Sequence, residues 1–197
     1  MVLLTAVLVN VPRVQNWLVG KVTKRLSKDL NTTVKIKHID FDLALFNKMS
    51  LEGTLITDHR KDTLLYAGKV NVKVTDWFFL KDTIVLKYIG LDDAIVNLYR
   101  VDSVWNYQFL ADYFSSPSTG KTKSTINLDL KIVELKNINL MRRDEWRGED
   151  MAFHMRSMTI DAKQISLAEK NIDIGSINLN EPFFSIYNYT GKRPKRA

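Results

Sequence analysis

Ile126-Asn127-Leu128-Asp129-Leu130-Lys131-Ile132 alternates apolar and polar residues without a break. Successive side chains of a β-strand point to opposite faces, so this stretch reads as a strand with one buried and one wet face. The same period recurs at Ile39, Phe41, Leu43 and Leu45, which alternate with Asp40, Asp42 and Ala44, and at Val70, Val72 and Val74. Ile172, Ile174, Ile177 and Leu179 follow near the end of the chain. These stretches predict a mainly β (α+β) fold built from half-buried antiparallel strands.

The chain also repeats itself. At an offset of 40, Met49, Leu51 and Leu55 meet Ile89, Leu91 and Ile95, and Arg60-Lys61-Asp62-Thr63-Leu64 meets Arg100-Val101-Asp102-Ser103-Val104. At an offset of 88, Ile89, Leu91, Ala94, Leu98 and Tyr99 meet Ile177, Leu179, Pro182, Ile186 and Tyr187. A fourth copy falls between them, with Val133, Leu135 and Leu140-Met141-Arg142. A period near 40–44 predicts stacked strand units that lengthen one sheet.

Ahead of the strands the period is helical. Val14, Leu18, Val22, Leu26 and Leu30 recur every four residues, Pro12 marks a start and Asn31 a stop, predicting an amphipathic helix over 13–31 that caps the sheet. Trp17, Lys21, Lys24, Arg25 and Lys28 occupy its other faces; they suit either solvent or lipid headgroups. Residues 2–9 are apolar and uncharged, too short to cross a bilayer, which takes about 20 residues. They read as the end of a transmembrane helix, or as a buried strand or short core helix. Residues 107–114 suggest one short helix, and 115–125 a polar linker.

The 197 residues carry 29 Lys and Arg against 22 Asp and Glu, a net charge of +7. Residues 1–30 hold five basic residues and one acid, and 192–197 hold four basic residues, leaving 20 basic against 21 acidic in the body. A nucleic-acid surface would spread its cations along one face, so that class is set aside. With no cysteine there is no disulfide framework and no thiolate chemistry. Gly120-Lys121-Thr122 lacks the glycine a phosphate-binding loop needs five residues earlier, where Ser115 stands. His38, His59 and His154 are scattered, Asp40 and Asp42 share a strand face, and Asp92-Asp93 read as a turn. No residue set supports an enzyme, a metal or a cofactor.

Several motifs, taken in order, resemble the AsmA-like family, closest to its TamB (translocation and assembly module) branch in Bacteroidetes-type bacteria. They are Val14-Gln15-Asn16-Trp17-Leu18, then Leu30-Asn31-Thr32-Thr33-Val34-Lys35-Ile36, then Asp62-Thr63-Leu64-Leu65-Tyr66-Ala67 leading into Val70, Val72 and Val74. The strongest is Ile95-Val96-Asn97-Leu98-Tyr99-Arg100-Val101-Asp102-Ser103-Val104-Trp105-Asn106-Tyr107-Gln108-Phe109-Leu110, where Ser103 stands in place of the usual glycine. The likeness covers most of residues 1–114 and is weaker over 126–190.

The resemblance implies an N-terminal part of a bridge-like protein of the bacterial envelope, held in the inner membrane by a single-pass anchor with its body in the periplasm. Its repeat sheet would form an open, taco-like β groove that carries phospholipid acyl chains between inner and outer membranes. A further C-terminal part would meet an outer-membrane β-barrel partner. On that reading 1–12 end the anchor, 13–31 cap the groove, 32–114 form repeats 1 and 2, 126–190 form repeats 3 and 4, and 191–197 are a basic tail. The expected groove lining is Ile39, Phe41, Leu43, Val70, Val72, Val74, Leu86, Leu91, Ile126, Leu128, Leu130, Ile132, Ile174, Ile177 and Leu179. Trp17, Lys21, Lys24, Arg25 and Lys28 would lie beside the membrane. From periodicity alone, those apolar residues equally make a plain core under a helix. The alternatives are an envelope assembly factor that transports no lipid, or a β-sandwich adhesion domain.

Overall fold

A computed structural model describes residues 12–42, 48–74, 84–115 and 126–194. Helix α1 (Pro12–Asp29) opens with proline, whose fixed φ suits the first helical position. It ends on Asn31 at φ 49°, with Asn31 and Thr32 donating their N–H groups to the carbonyls of Lys28 and Ser27. That is a Schellman closure, which lets asparagine stand where glycine is usual. The Val34 N–H then donates to Ser27 Oγ at 3.0 Å, tying the helix to the first strand.

Among the described residues nine strands follow: β1 (Val34–Lys35), β2 (His38–Asp42), β3 (Lys48–Thr57), β4 (Thr63–Val74), β5 (Ile84–Arg100), β6 (Ile126–Asp144), β7 (Glu149–Ser166), β8 (Asn171–Asn180) and β9 (Phe183–Asn188). A short helix, α2 (Gln108–Ser115), lies between β5 and β6. One sheet holds them all. β1 and β2 pair in sequence along β3, as β8 and β9 do along β7, so the order across the sheet is β1/β2, β3, β4, β5, β6, β7, β8/β9. The two outer positions do not pair with each other, and the sheet is open.

The expected all-antiparallel arrangement needs one correction. β5 and β6 run parallel, offset by 44 residues over most of their length. A parallel neighbour requires a crossover, and residues 101–125 with α2 provide it.

A transverse row explains the repeat. Gly53, Asp93, Asn137 and Glu181 have φ of 57°, 53°, 50° and 47°. The registers align them with Gly68 and Arg156 across the sheet. A left-handed residue within a strand shifts the alternation by one, as a β-bulge does. Apolar residues therefore step by two, by three across the row, then by two again: Ile89, Leu91, Ala94, Val96 in β5 and Val133, Leu135, Ile138, Leu140 in β6. Aligned by register, these make continuous rows, such as Met49, Val72, Ile89, Val133, Ile160 and Ile177. Asp92-Asp93, expected at a turn, lie within β5 on this crease. Asn137 Nδ2 donates to Asp93 Oδ1 at 2.7 Å, and Arg156 pairs with Glu181 at 2.8 Å along the same line.

The core is one apolar cluster on one face of this sheet, with Ile39, Ala67 and Ala94 fully buried. Val19, Val22 and Leu26 of α1 pack against it, and Leu18 and Leu30 are buried. The helical spacing thus identifies the inward face of α1.

The single-pass anchor and its inner-membrane placement are not supported. Among the described residues no helix is long and apolar enough to cross a membrane. The long helix, α1, carries Lys21, Lys24, Arg25, Lys28 and Asp29 and packs on β1 and β2. Residues 1–11, on which that expectation also rested, lie outside the described residues, as do Leu43, most of the 115–125 linker, and 195–197.

Candidate functional site

The apolar sheet face runs across the described strands, and its cover is uneven. At the α1 end Ile39, Val70 and Val72 are buried. Leu86 and Leu130 are buried too, and Leu91, Ile126 and Leu128 are half-buried in the same cluster. Toward the last strand exposure climbs: Ile177 is 53% exposed, Leu179 44%, and Phe184 and Ile186 51% each. Phe184 still meets Phe153 of β7 edge-on, with ring centroids 6.3 Å apart. β8 and β9 form the free edge, with their outer N–H and C=O groups unmatched by another strand of the sheet.

Most of the expected lining residues therefore belong to one surface, with clear exceptions. Ile132 follows a register shift beyond Leu130 and aligns with Tyr88 on the opposite, polar face. There Tyr88 Oη donates to Glu134 at 2.7 Å and Lys73 Nζ sits 5.0 Å from the tyrosine ring centroid. The neighbouring Val133 takes the apolar position instead. Phe41 and Val74 align with Met49 and Leu86 in the ladder. Ile174 sits opposite Ala162 between two register shifts, 41% exposed. On α1, Trp17 is 58% exposed, Lys21 lies 4.9 Å from its ring, and Lys24, Arg25 and Lys28 are exposed.

The arginine of the second Arg-x-Asp copy fastens two strand ends. Arg100 grips the fully buried Asp144, and its guanidinium and that of Arg142 stand 4.7 and 4.9 Å from the Trp105 ring. Burial would raise the Asp144 pKa. The Arg100 hydrogen bonds, the Arg147 N–H and the nearby arginine charges outweigh it, holding the carboxyl below the ordinary 3.8. Arg60 instead lies 5.4 Å from the Tyr99 ring. Asp58, 1% exposed, accepts the N–H groups of Arg60 and Asp62 at 2.8 and 3.0 Å and closes the β3–β4 turn. The start of the basic tail is likewise tied down: Lys192 and Arg193 donate their N–H groups to the carbonyls of Glu145 and Trp146.

The histidines have separate partners. His38 meets Asp40 at 2.9 Å, His59 stacks on Phe109, and His154 meets Asn139 at 2.9 Å. Among the described residues no group of three metal-binding side chains converges. What the molecule offers chemically is an apolar surface with a polar reverse side. No protein-family model and no curated protein matches the chain.

Proposed function

We propose that the chain is a segment of an AsmA-like, TamB-type β trough, whose apolar sheet face carries phospholipid acyl chains from one membrane toward another without catalysis. In this reading the sheet curls about the crease into the taco-like groove. The supporting observation is the unbroken apolar face, whose rows cross all seven strand positions while α1 covers only the first end. At about 25 cal/mol per Å² of apolar surface removed from water, sheltering an acyl chain on such a face is favourable by several kcal/mol. Headgroups stay in water at the margin.

Mass spectrometry of lipid retained by the purified chain tests this, with Ile177→Asp/Leu179→Asp as the comparison. Both side chains are exposed, so the fold should tolerate the change. Phospholipid bound by the parent and lost from the variant, with an unchanged circular dichroism spectrum, is the expected result. Equal retention in both would remove the trough. A second reading, an assembly factor for β-barrel precursors, draws on the free 171–188 edge, since an open edge accepts an added strand. Lipid-free protein that binds unfolded barrel strands would favour it.

A further inference from the structure

At the α1 end of the sheet, a crevice of about 490 Å³ lies between α1 and the first strands. Val19, Leu55 and Tyr66 give it apolar walls, and Gly20 opens it from the helix side. A Cβ at Gly20 would meet nothing within 4 Å. Lys24, Lys35 and Lys37 line the same crevice, all three exposed and, among the described residues, none ion-paired. The acids nearby in sequence are engaged elsewhere, Glu52 with Lys69 and Asp29 with Arg25. Thr23 Oγ1 is buried in the wall without a hydrogen-bond partner.

The geometry points to a binding site for a single-chain anionic amphiphile, its chain in the crevice and its carboxylate or phosphate among Lys24, Lys35 and Lys37. The charges specify the occupant. Three unneutralised ammonium groups beside an apolar slot favour a negative head on a greasy body over a neutral one, and disfavour a cationic lipid. Lysine acts as a point charge without a planar fork, so either anionic head is accepted. The volume lies in the range of about 300–1,000 Å³ usual for small-ligand sites, enough for one chain. The two readings are tested apart, because none of these residues is in the exposed 171–188 margin that Ile177 and Leu179 probe.

Displacement of a fluorescent fatty-acid probe by oleate, dodecyl phosphate or neutral monoolein tests it. Oleate and dodecyl phosphate should both compete and monoolein should not; competition by only one anion identifies the preferred head. Gly20→Phe places a ring at the crevice, where a Cβ meets nothing within 4 Å, and should abolish competition while keeping the circular dichroism spectrum and without lowering the melting temperature. Lys24→Glu/Lys35→Glu/Lys37→Glu should weaken oleate at least tenfold, an effect that shrinks as salt rises. Ile177→Asp/Leu179→Asp, which probes the trough, should leave this binding unchanged, so the two readings fail separately. Wild-type affinity in Gly20→Phe, or in the triple variant, would overturn the proposal. Binding that emerges only after deletion of residues 1–11 would also overturn it, giving the crevice to the chain's own first residues.

Discussion

Arg100 and Asp144 are register partners across the parallel seam of the sheet, and Arg100 donates from Nε to Oδ1 at 2.6 Å and from Nη2 to Oδ2 at 2.7 Å. Asp144 has no solvent exposure, and it also accepts from Arg142 at 3.1 Å. A forked pair of this kind is short and directional. Removing one member strands the other charge away from water.

Asp144→Asn should therefore destabilise the fold by about 3–5 kcal/mol, read from the denaturant midpoint. The pH dependence has a definite sign. Because the folded carboxyl titrates below 3.8, its contribution is complete above that pH and disappears as pH falls through the lower, folded value. The variant should lose that part of the acid limb of the stability curve.

Two glycine-to-alanine changes should move stability in opposite directions. Gly20 is helical with open space beyond it, so alanine should add about 1 kcal/mol through helix propensity. Gly53 sits at φ 57°, and a Cβ there would come within 2.5 Å of the Lys37 stem. Alanine at that position should cost about 1–2 kcal/mol for the left-handed backbone. Thermal unfolding separates them, since each kcal/mol shifts the melting temperature of a chain this size by about 2–4 °C.

Tyrosine ionisation should be staggered. Burial, then the Asp58 carboxylate, pushes Tyr99 up to about 12. Burial, then a hydrogen bond to Asp150, does the same for Tyr189. Tyr88, buried and bonded to Glu134, is raised further. Their contribution to stability is complete below pH 10 and declines as pH rises through the folded values. Absorbance at 295 nm should show these late phases, and Tyr88→Phe should remove the last.

The covered and uncovered ends of the apolar face should respond unequally. Ile39→Ala, at a site with 0% exposure, should cost about 2–5 kcal/mol. Ile186→Lys on the free edge should stay within about 0.5 kcal/mol of the parent. It should also lower binding of a hydrophobic dye, which Ile39→Ala cannot do without unfolding the chain.

Much of the framework was legible because alternation and spacing are local properties. The matches of Ile89 with Ile177 and of Leu91 with Leu179 are positions on common rows of the sheet. The inward helix face at Leu18, Val22, Leu26 and Leu30 followed from its four-residue step. Strand direction was not legible, since an alternating strand has the same pattern in a parallel or antiparallel ladder. Strict period two puts Ile132 on the row of Leu130, whereas the register shift after Leu130 resets the alternation and turns Ile132 to the other face. Asp92-Asp93 looked like turn chemistry because the residues that favour turns also tolerate the left-handed backbone of a bulge. The missed signal was the recurrence of a Gly, Asp, Asn or Glu two residues after a row leucine or its equivalent, at 53, 93, 137 and 181.

The parallel seam also divides the molecule in time. Each side of it is a meander whose neighbouring strands are close in sequence, so each can assemble from short-range contacts. The seam itself joins residues 44 apart, and closing that distance has an entropic cost that precedes any ladder contact. Refolding should form two local stacks first and zip β5 to β6 afterwards, with the Arg100–Asp144 clasp among the last contacts made.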